Sequence, residues 1–300
     1  MGALAVLAIV TAGHAGVRGQ GSRALVILLA TTAVMAAGGR WLARQGVLRL
    51  PIQRRRGVNL LAERGTARVW LVAHLDSKSQ PVPIIVRAAG IAATGIVWIV
   101  AIGVAVAQVA GMAVGALWTP VVVASIVAGL PVVASTVGAR APGAIDNASG
   151  VAAVLAAAAL LPPEISVGVL LPTAEELGLA GARAWAGSRP PAIALNCDGV
   201  DDTGVMLVMY SGVAPTRVLA ALRRAAIGVA VPLRVSRLVP GILTDAVALA
   251  DAGWATATVS RGSVRTMARI HTPADARSAI TGDGVTLASR LLASAARELA

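Results

Sequence analysis

VGVLLPTAEELGLAGARAWAGSRPPAIALNCD, residues 167–198, is the stretch that decides the fold. It opens on Val167 to Leu171, an unbroken apolar run of strand length that suits a strand buried on both faces. It closes on a second such run, Ala192 to Cys197, and the residues between, Gly178 to Ala186, have a helical pattern. Each apolar run is followed by acids: Glu175 and Glu176 after the first, Asp198 after the second. Further runs of the same kind lie at Ala67 to Ala73, Val205 to Tyr210 and Ala255 to Val259. Helical patterns lie at Ala214 to Gly228, Asp245 to Ala252 and Thr286 to Ala300. Strands alternating with helices predict an α/β sheet covered by helices on both faces. Ligands of such sheets gather at the carboxyl ends of the strands, where these acids fall.

The rest of the chain has another texture. Of 300 residues 57% are hydrophobic and only 13% charged, with a mean hydropathy of +0.78; soluble domains are about 45–50% apolar. Aromatic residues make up 2% and phenylalanine is absent, so aliphatic side chains must build the core. Ala88 to Ala107 and Ala113 to Ser135 contain no charged residue and are joined by the turn-sized Gln108 to Met112. Two such helices have no solvent face, which predicts a transmembrane hairpin. Ala24 to Gly38, ending at Arg40 and Trp41, and the short Met1 to Ala12 bring the expected number of transmembrane helices to about four. Val151 to Leu161 is also apolar but too short to span, and Pro162 and Pro163 close it.

The net charge of +12 does not point to nucleic acid, because neither a basic face nor an aromatic platform for bases is visible. The densest basic stretch, Arg40 to Arg56, follows an apolar segment and suits anionic lipid headgroups. The single cysteine, Cys197, forms no intrachain disulfide and reads as a small buried hydrophobe.

Histidines and acids are scarce, and their places are informative. His74 ends a strand in Ala-His-Leu-Asp-Ser (73–77), beside Asp76. Asp146 stands in a loop punctuated by glycine and proline, and His271 in His-Thr-Pro-Ala-Asp (271–275). Taken singly, each has an ordinary role open to it: a satisfied polar residue, a helix start for Glu175-Glu176, an N-cap for Asp146, an exposed acidic run for Asp198. Together, anionic oxygens and imidazoles on one rim would bind a divalent cation well.

These motifs, with Pro-Gly-Ala-Ile-Asp-Asn-Ala-Ser-Gly-Val-Ala (142–152), Thr-Ala-Glu-Glu-Leu-Gly-Leu-Ala-Gly-Ala-Arg (173–183) and Asn-Cys-Asp-Gly-Val (196–200), resemble the M28 family of zinc peptidases. That family includes bacterial leucyl aminopeptidases and glutamate carboxypeptidase-type enzymes. The resemblance runs from about Arg64 to the C-terminus. It implies a mixed-sheet zinc-peptidase domain and two Zn2+ ions. Asp146 would bridge the ions, with His74 and Asp198 on one and Glu176 and His271 on the other. It further implies Glu175 as general base and Asp76 as the partner fixing the His74 imidazole, in an aminopeptidase-like enzyme acting on small peptides. Thr244-Asp245 resembles a pair before the family's last helix, leaving open a substrate-amine contact or a structural cap; Tyr210 is open to an oxyanion role or to packing.

Where soluble relatives have a short loop between the His-x-Asp and Asp-Asn motifs, about 70 residues intervene here. The chain therefore divides into an N-terminal membrane region, residues 1–56, and a peptidase domain, residues 57–300, interrupted at 82–137 by the hairpin. The expected partners are a peptide substrate and the lipid bilayer. The expected place is a bacterial cell membrane, with the active site cytoplasmic by the positive-inside rule on Arg40, Arg44, Arg49 and Arg54 to Arg56. A relative that keeps the fold without the metals, serving as a binding or scaffold module, is the competing reading. The sequence sets no oligomeric state.

Overall fold

The computed structural model describes residues 2–43, 47–49, 56–239 and 241–300. Arg44, Arg54 and Arg55 of the basic segment lie outside the described residues. The chain forms two compact units, residues 1–43 with 80–137, and residues 44–79 with 138–300.

The first unit is helical: α1 (Gly2–Val17), α2 (Gly21–Trp41), α4 (Ile84–Val109) and α5 (Trp118–Val133), with a 3-10 turn at Gly115–Leu117 leading into α5. Its interior joins Ile9, Ala12, Leu28, Ala101 and Trp118. Its outside is equally apolar, with Val26, Ile96, Ile99 and Val127 each more than 60% exposed. Gly21–Trp41, Ile84–Val109 and Gly115–Val133 are long and apolar enough to cross a membrane, whereas α1, with 16 residues, is shorter. Polar groups inside the bundle are paired: Gln108 donates to the Gly16 carbonyl and accepts from the Trp118 indole, and the Trp98 indole donates to Thr32.

The second unit holds α3 (Val47–Arg49), a single turn, and seven described strands in one sheet. These are β1 (Leu60–Arg64), β2 (Val69–Val72), β3 (Val167–Leu171), β4 (Ile193–Val200), β5 (Val205–Tyr210), β6 (Leu233–Arg237) and β7 (Ala255–Gly262), in the order β1-β3-β2-β4-β7-β5-β6. β3, β2, β4 and β7 run parallel. β1 is antiparallel to β3, and β5 is antiparallel to β7 and parallel to β6, so the sheet is mixed.

Alternation along β2 shows why both faces are covered. Val69 and Leu71 join the larger core, with α6 (Gly150–Leu160), α8 (Thr216–Gly228) and α11 (Asp283–Leu299). Trp70 and Val72 face the other way, against Trp185 of α7 (Ala180–Ala186) and Leu249 of α9 (Asp245–Asp251). A six-residue helix, α10 (Val264–Arg269), precedes the His271 loop. The edge strands β1 and β6 were not foreseen in the sequence: Leu60–Arg64 and Leu233–Arg237 mix charged with apolar residues, and most of their positions are exposed.

Candidate metal centre

The carboxyl ends of β2, β3 and β4 open onto one rim. β2 leads into His74, which is 1% exposed. Its Nδ1 lies 2.9 Å from the Asp76 main-chain carbonyl, which can only accept, so this nitrogen carries a proton and donates. Nε2 faces Asp146 Oδ1 at 3.2 Å and Asp198 Oδ1 at 3.7 Å. The orientation of His74 therefore comes from Asp76 through its carbonyl, its carboxylate being 3.7 Å from Nδ1. That carboxylate has different partners: it accepts the backbone N–H groups of Glu175 at 3.0 Å and Glu176 at 3.1 Å. Asp76 thus ties the His74 strand end to the loop bearing both glutamates.

Asp146 sits in an irregular turn over residues 144–149. Its second oxygen, Oδ2, is 2.9 Å from His271 Nε2, and that nitrogen is 3.1 Å from Glu176 Oε1. Two triads result, His74–Asp146–Asp198 and Asp146–Glu176–His271, each with its ligand-type atoms within 4.8 Å of one another. They share Asp146, which turns one oxygen to each histidine.

The sequence around these side chains is largely the machinery that holds them. Asn147 donates from Nδ2 to the Cys197 carbonyl, while its Oδ1 accepts the N–H groups of Gly150 and Gly199. Ser149 accepts from Val200 N–H and donates to the Ile145 carbonyl. Asp-Asn-Ala-Ser is thus a clamp that fastens the Asp146 turn to the end of β4, beside Asp198. Gly150 must be glycine here, since a Cβ would lie 2.5 Å from the Cys197 carbonyl oxygen. In the glutamate loop Gly181 has the same reason, a Cβ there meeting the Thr173 carbonyl at 2.2 Å. Asn59 pins this loop from β1's side, accepting from Thr173 N–H and donating to the Gly181 carbonyl. The His271 loop is anchored by Asp275, whose carboxylate accepts Ile145 N–H at 2.6 Å and Asp146 N–H at 3.2 Å.

Asn59, Asn147, Ser149 and Asp275 are positioning residues that sequence reasoning did not single out. The motifs containing Asn147, Ser149 and Asp275 were visible; their hydrogen-bonding partners, 50 to 130 positions away, were not. Lys78 is a further unforeseen neighbour, its ammonium paired with Glu176 Oε2. Asp201, three residues beyond Asp198, is 2% exposed and paired with Arg269. Tyr210 packs against the larger core. Asp245 is fully buried, and among the described residues neither of its carboxylate oxygens receives a hydrogen bond, so it caps none of them.

The electrostatics are those of too many acids in one place. Burial pushes Glu175 well above the usual carboxylate range, reinforced by the charges of Asp198, Asp245 and Glu176. Burial likewise raises Asp198, and it raises Asp245 to about 7. Asp146 goes the other way: burial opposes its charge, but contacts from His271 and His74 outweigh that and hold it well below the ordinary value. For His74, burial favours the neutral ring, yet Asp146, Asp198 and Asp76 raise its pKa. Among the described residues, Glu176 Oε1 and His271 Nδ1 are buried without a hydrogen-bond partner of good geometry. Three carboxylates and two imidazoles with converging nitrogen and oxygen lone pairs fit a divalent cation of the zinc type.

The family model described as Peptidase family M28 matches residues 130–296. No curated protein sequence matches the chain. Among solved structures, the chain is similar to an aminopeptidase from Aneurinibacillus sp. strain AM-1, with 17% identity over 80% of this chain and 47% of that one, at a TM-score of 0.51. It is also similar to BSAP, a zinc aminopeptidase from Bacillus subtilis, with 18% identity over 80% of this chain and 49% of that one, at a TM-score of 0.50. Likenesses at this identity are likenesses of fold, and the chain spans about half the length of both structures. The family match begins beyond His74 and Asp76; the sheet carries these two residues to the matched ones. Since the family model covers more than half of its residues, the chain belongs to Peptidase family M28.

Proposed function

We propose that this chain is a membrane-held, zinc-dependent peptidase that acts as an aminopeptidase on small peptides. The observation that carries the reading is the pair of triads sharing Asp146, one oxygen turned to each histidine. His74 and Asp198 would hold one zinc ion, Glu176 and His271 a second, and Asp146 both. Two ions so held supply Lewis acidity to the scissile carbonyl and to the attacking water. Glu175 is the general base. Burial and neighbouring acids raise its proton affinity, which suits it to accept the water's proton and pass it to the leaving amine. Asp76 fixes Glu175 and Glu176 through their backbone N–H groups and His74 through its own carbonyl, so one residue sets the relative placement of base and ligands. A scaffold that had lost its metals would have no reason to keep these side chains converged.

The membrane part of the reading is supported by three sufficiently long apolar helices in a unit that is hydrophobic inside and out. By the positive-inside rule Arg40, Arg44, Arg49 and Arg54 to Arg56 favour a cytoplasmic peptidase unit. Accessibility labelling of Thr203→Cys, an exposed position of the peptidase unit, tests that side.

The deciding experiment is metal analysis with a peptide-hydrolysis assay on wild type and Glu175→Gln. Zinc retained with hydrolysis lost supports the assignment. Undiminished hydrolysis in the variant removes Glu175 as base, and a wild-type protein that binds no zinc removes the mechanism.

A further inference from the structure

An open groove of about 310 Å³ runs between α1 and α5 in the helical unit. Glycine lets these helices approach closely: a Cβ on Gly13 would lie 2.4 Å from Val122 Cγ2, and one on Gly16 would lie 2.0 Å from the Trp118 indole nitrogen. Val10 and Val17 of α1 and Val122 and Val123 of α5 make the groove apolar along its length. Its rim is polar, with His14 in the last turn of α1, Arg18 just past its end, and Thr119 in the first turn of α5. All three are exposed, and among the described residues none of their side chains has a hydrogen bond or ion pair.

The charge in this unit is one-sided. Residues 1–43 and 80–137 contain no Asp or Glu, so nothing in the unit can neutralise Arg18. A guanidinium next to an imidazole and a hydroxyl is suited to a phosphate, and a valine-lined slot leading from it is suited to an acyl chain. Polar at one end and apolar along the rest, the groove has the polarity pattern of a phospholipid. Basic pockets between membrane helices recognise anionic headgroups on this principle.

We propose that the groove between α1 and α5 is a binding site for an acidic phospholipid, its phosphate held by Arg18, His14 and Thr119 and one acyl chain lying along the valines. The site rests on the membrane reading above and is independent of the metal centre.

The test is native mass spectrometry of the full chain extracted from nanodiscs made of equal parts phosphatidylglycerol and phosphatidylcholine. Wild type is expected to retain phosphatidylglycerol preferentially. Arg18→Gln should lower that preference about five-fold, the worth of one basic residue at an anionic headgroup. Val123→Trp, which fills the slot and leaves the charges in place, should lower it too, while Arg23→Gln, outside the groove, should not. Equal retention of the two lipids by wild type overturns the proposal. So does a preference unchanged in the His14→Gln/Arg18→Gln double variant, or one lost in Arg23→Gln alone. A chain that stays soluble without lipid or detergent overturns the membrane reading itself, an outcome distinguishable from insertion without lipid preference.

Discussion

Replacing Asp275 by asparagine removes one charge and one acceptor oxygen, in a residue that is fully buried. In the wild type both carboxylate oxygens are used, Oδ1 by Ile145 N–H and Oδ2 by Asp146 N–H, while the Asp275 carbonyl accepts Ala144 N–H at 3.1 Å. An asparagine can keep one of the side-chain bonds and must turn its NH2 toward the other N–H. Losing one hydrogen bond to a charged acceptor costs about 1.5–3 kcal/mol. Removing an outer partner of a metal ligand costs about 10–100-fold in affinity, or about 1.4–2.7 kcal/mol. Both routes give about 2 kcal/mol, and both act on Asp146, the residue shared by the two triads. Asp275→Asn is therefore expected to bind zinc 10–100-fold more weakly, on the order of magnitude just given. The measurement is competition with a chromophoric chelator in detergent solution, at a temperature where circular dichroism shows the variant folded. A folded variant whose zinc affinity lies within about two-fold of wild type would refute the positioning role, since one lost charge-assisted bond exceeds that difference.

Two further substitutions test the frame around the site. Asp202 accepts N–H groups from Thr281, Gly282 and Gly284 at the start of α11, whose own N-cap, Gly282, has no side chain to offer. Asp202→Ala should lower stability by about 1–2 kcal/mol at neutral pH, read from thermal or denaturant unfolding in detergent. Despite the opposing effect of burial, these bonds depress the folded-state pKa of Asp202. Its contribution is therefore present above the unfolded value of about 4 and fades as pH falls through the lower folded value. The gap between wild type and variant must shrink in acid; a gap that widens there contradicts the assignment. Gly150→Ala is a test of sign. Within α6 alanine ordinarily gains about 1 kcal/mol over glycine, but here the new Cβ lies 2.1 Å from Asn147 Oδ1 and 2.5 Å from the Cys197 carbonyl. Overpacking of about 1–3 kcal/mol should win, and a stabilised variant would refute the clamp.

Val167–Leu171 was legible because it is buried on both faces and hence apolar without interruption, and Val205–Tyr210, buried on one face, keeps an apolar run along both; each has the predicted bounds. The edge strands were not legible, because exposure removes that signal and pairing alone defines them. Helix ends drifted for a similar reason. The predicted start of α11 at Thr286 lies inside a helix that begins at Asp283, since its cap comes from Asp202, far away in sequence. For the site, types and order could be read from the motifs, and the structure brings His74, Asp146, Glu176, Asp198 and His271 together. What the sequence could not supply were through-space partners. Lys78 gave no hint of meeting Glu176, and the Asp76 carboxylate, expected at the imidazole, also accepts backbone N–H groups from the loop that follows the neighbouring strand β3.

The long separation of His74 from Asp146 in sequence costs the site nothing in geometry, and the reason lies in a narrow neck. Ser79 and Gly138 exchange two backbone hydrogen bonds of 2.8 Å, an antiparallel bridge at the point where residues 80–137 leave and return. Ser79 Oγ accepts Arg140 N–H at 2.8 Å, and Ser77 donates to the Ala141 carbonyl, so the two arms stay side by side as they approach the rim. Gly143 continues the contact: a Cβ there would stand 2.7 Å from Ser77 Cβ, closer than any side chain fits. Loop-closure cost grows only with the logarithm of length, and a segment that folds on itself need not add even that. The contact between His74 and Asp146 is thus fixed by interactions wholly within the peptidase unit. A segment behind such a neck can differ in composition from the unit it leaves, which is why so apolar a stretch is compatible with the geometry of the rim.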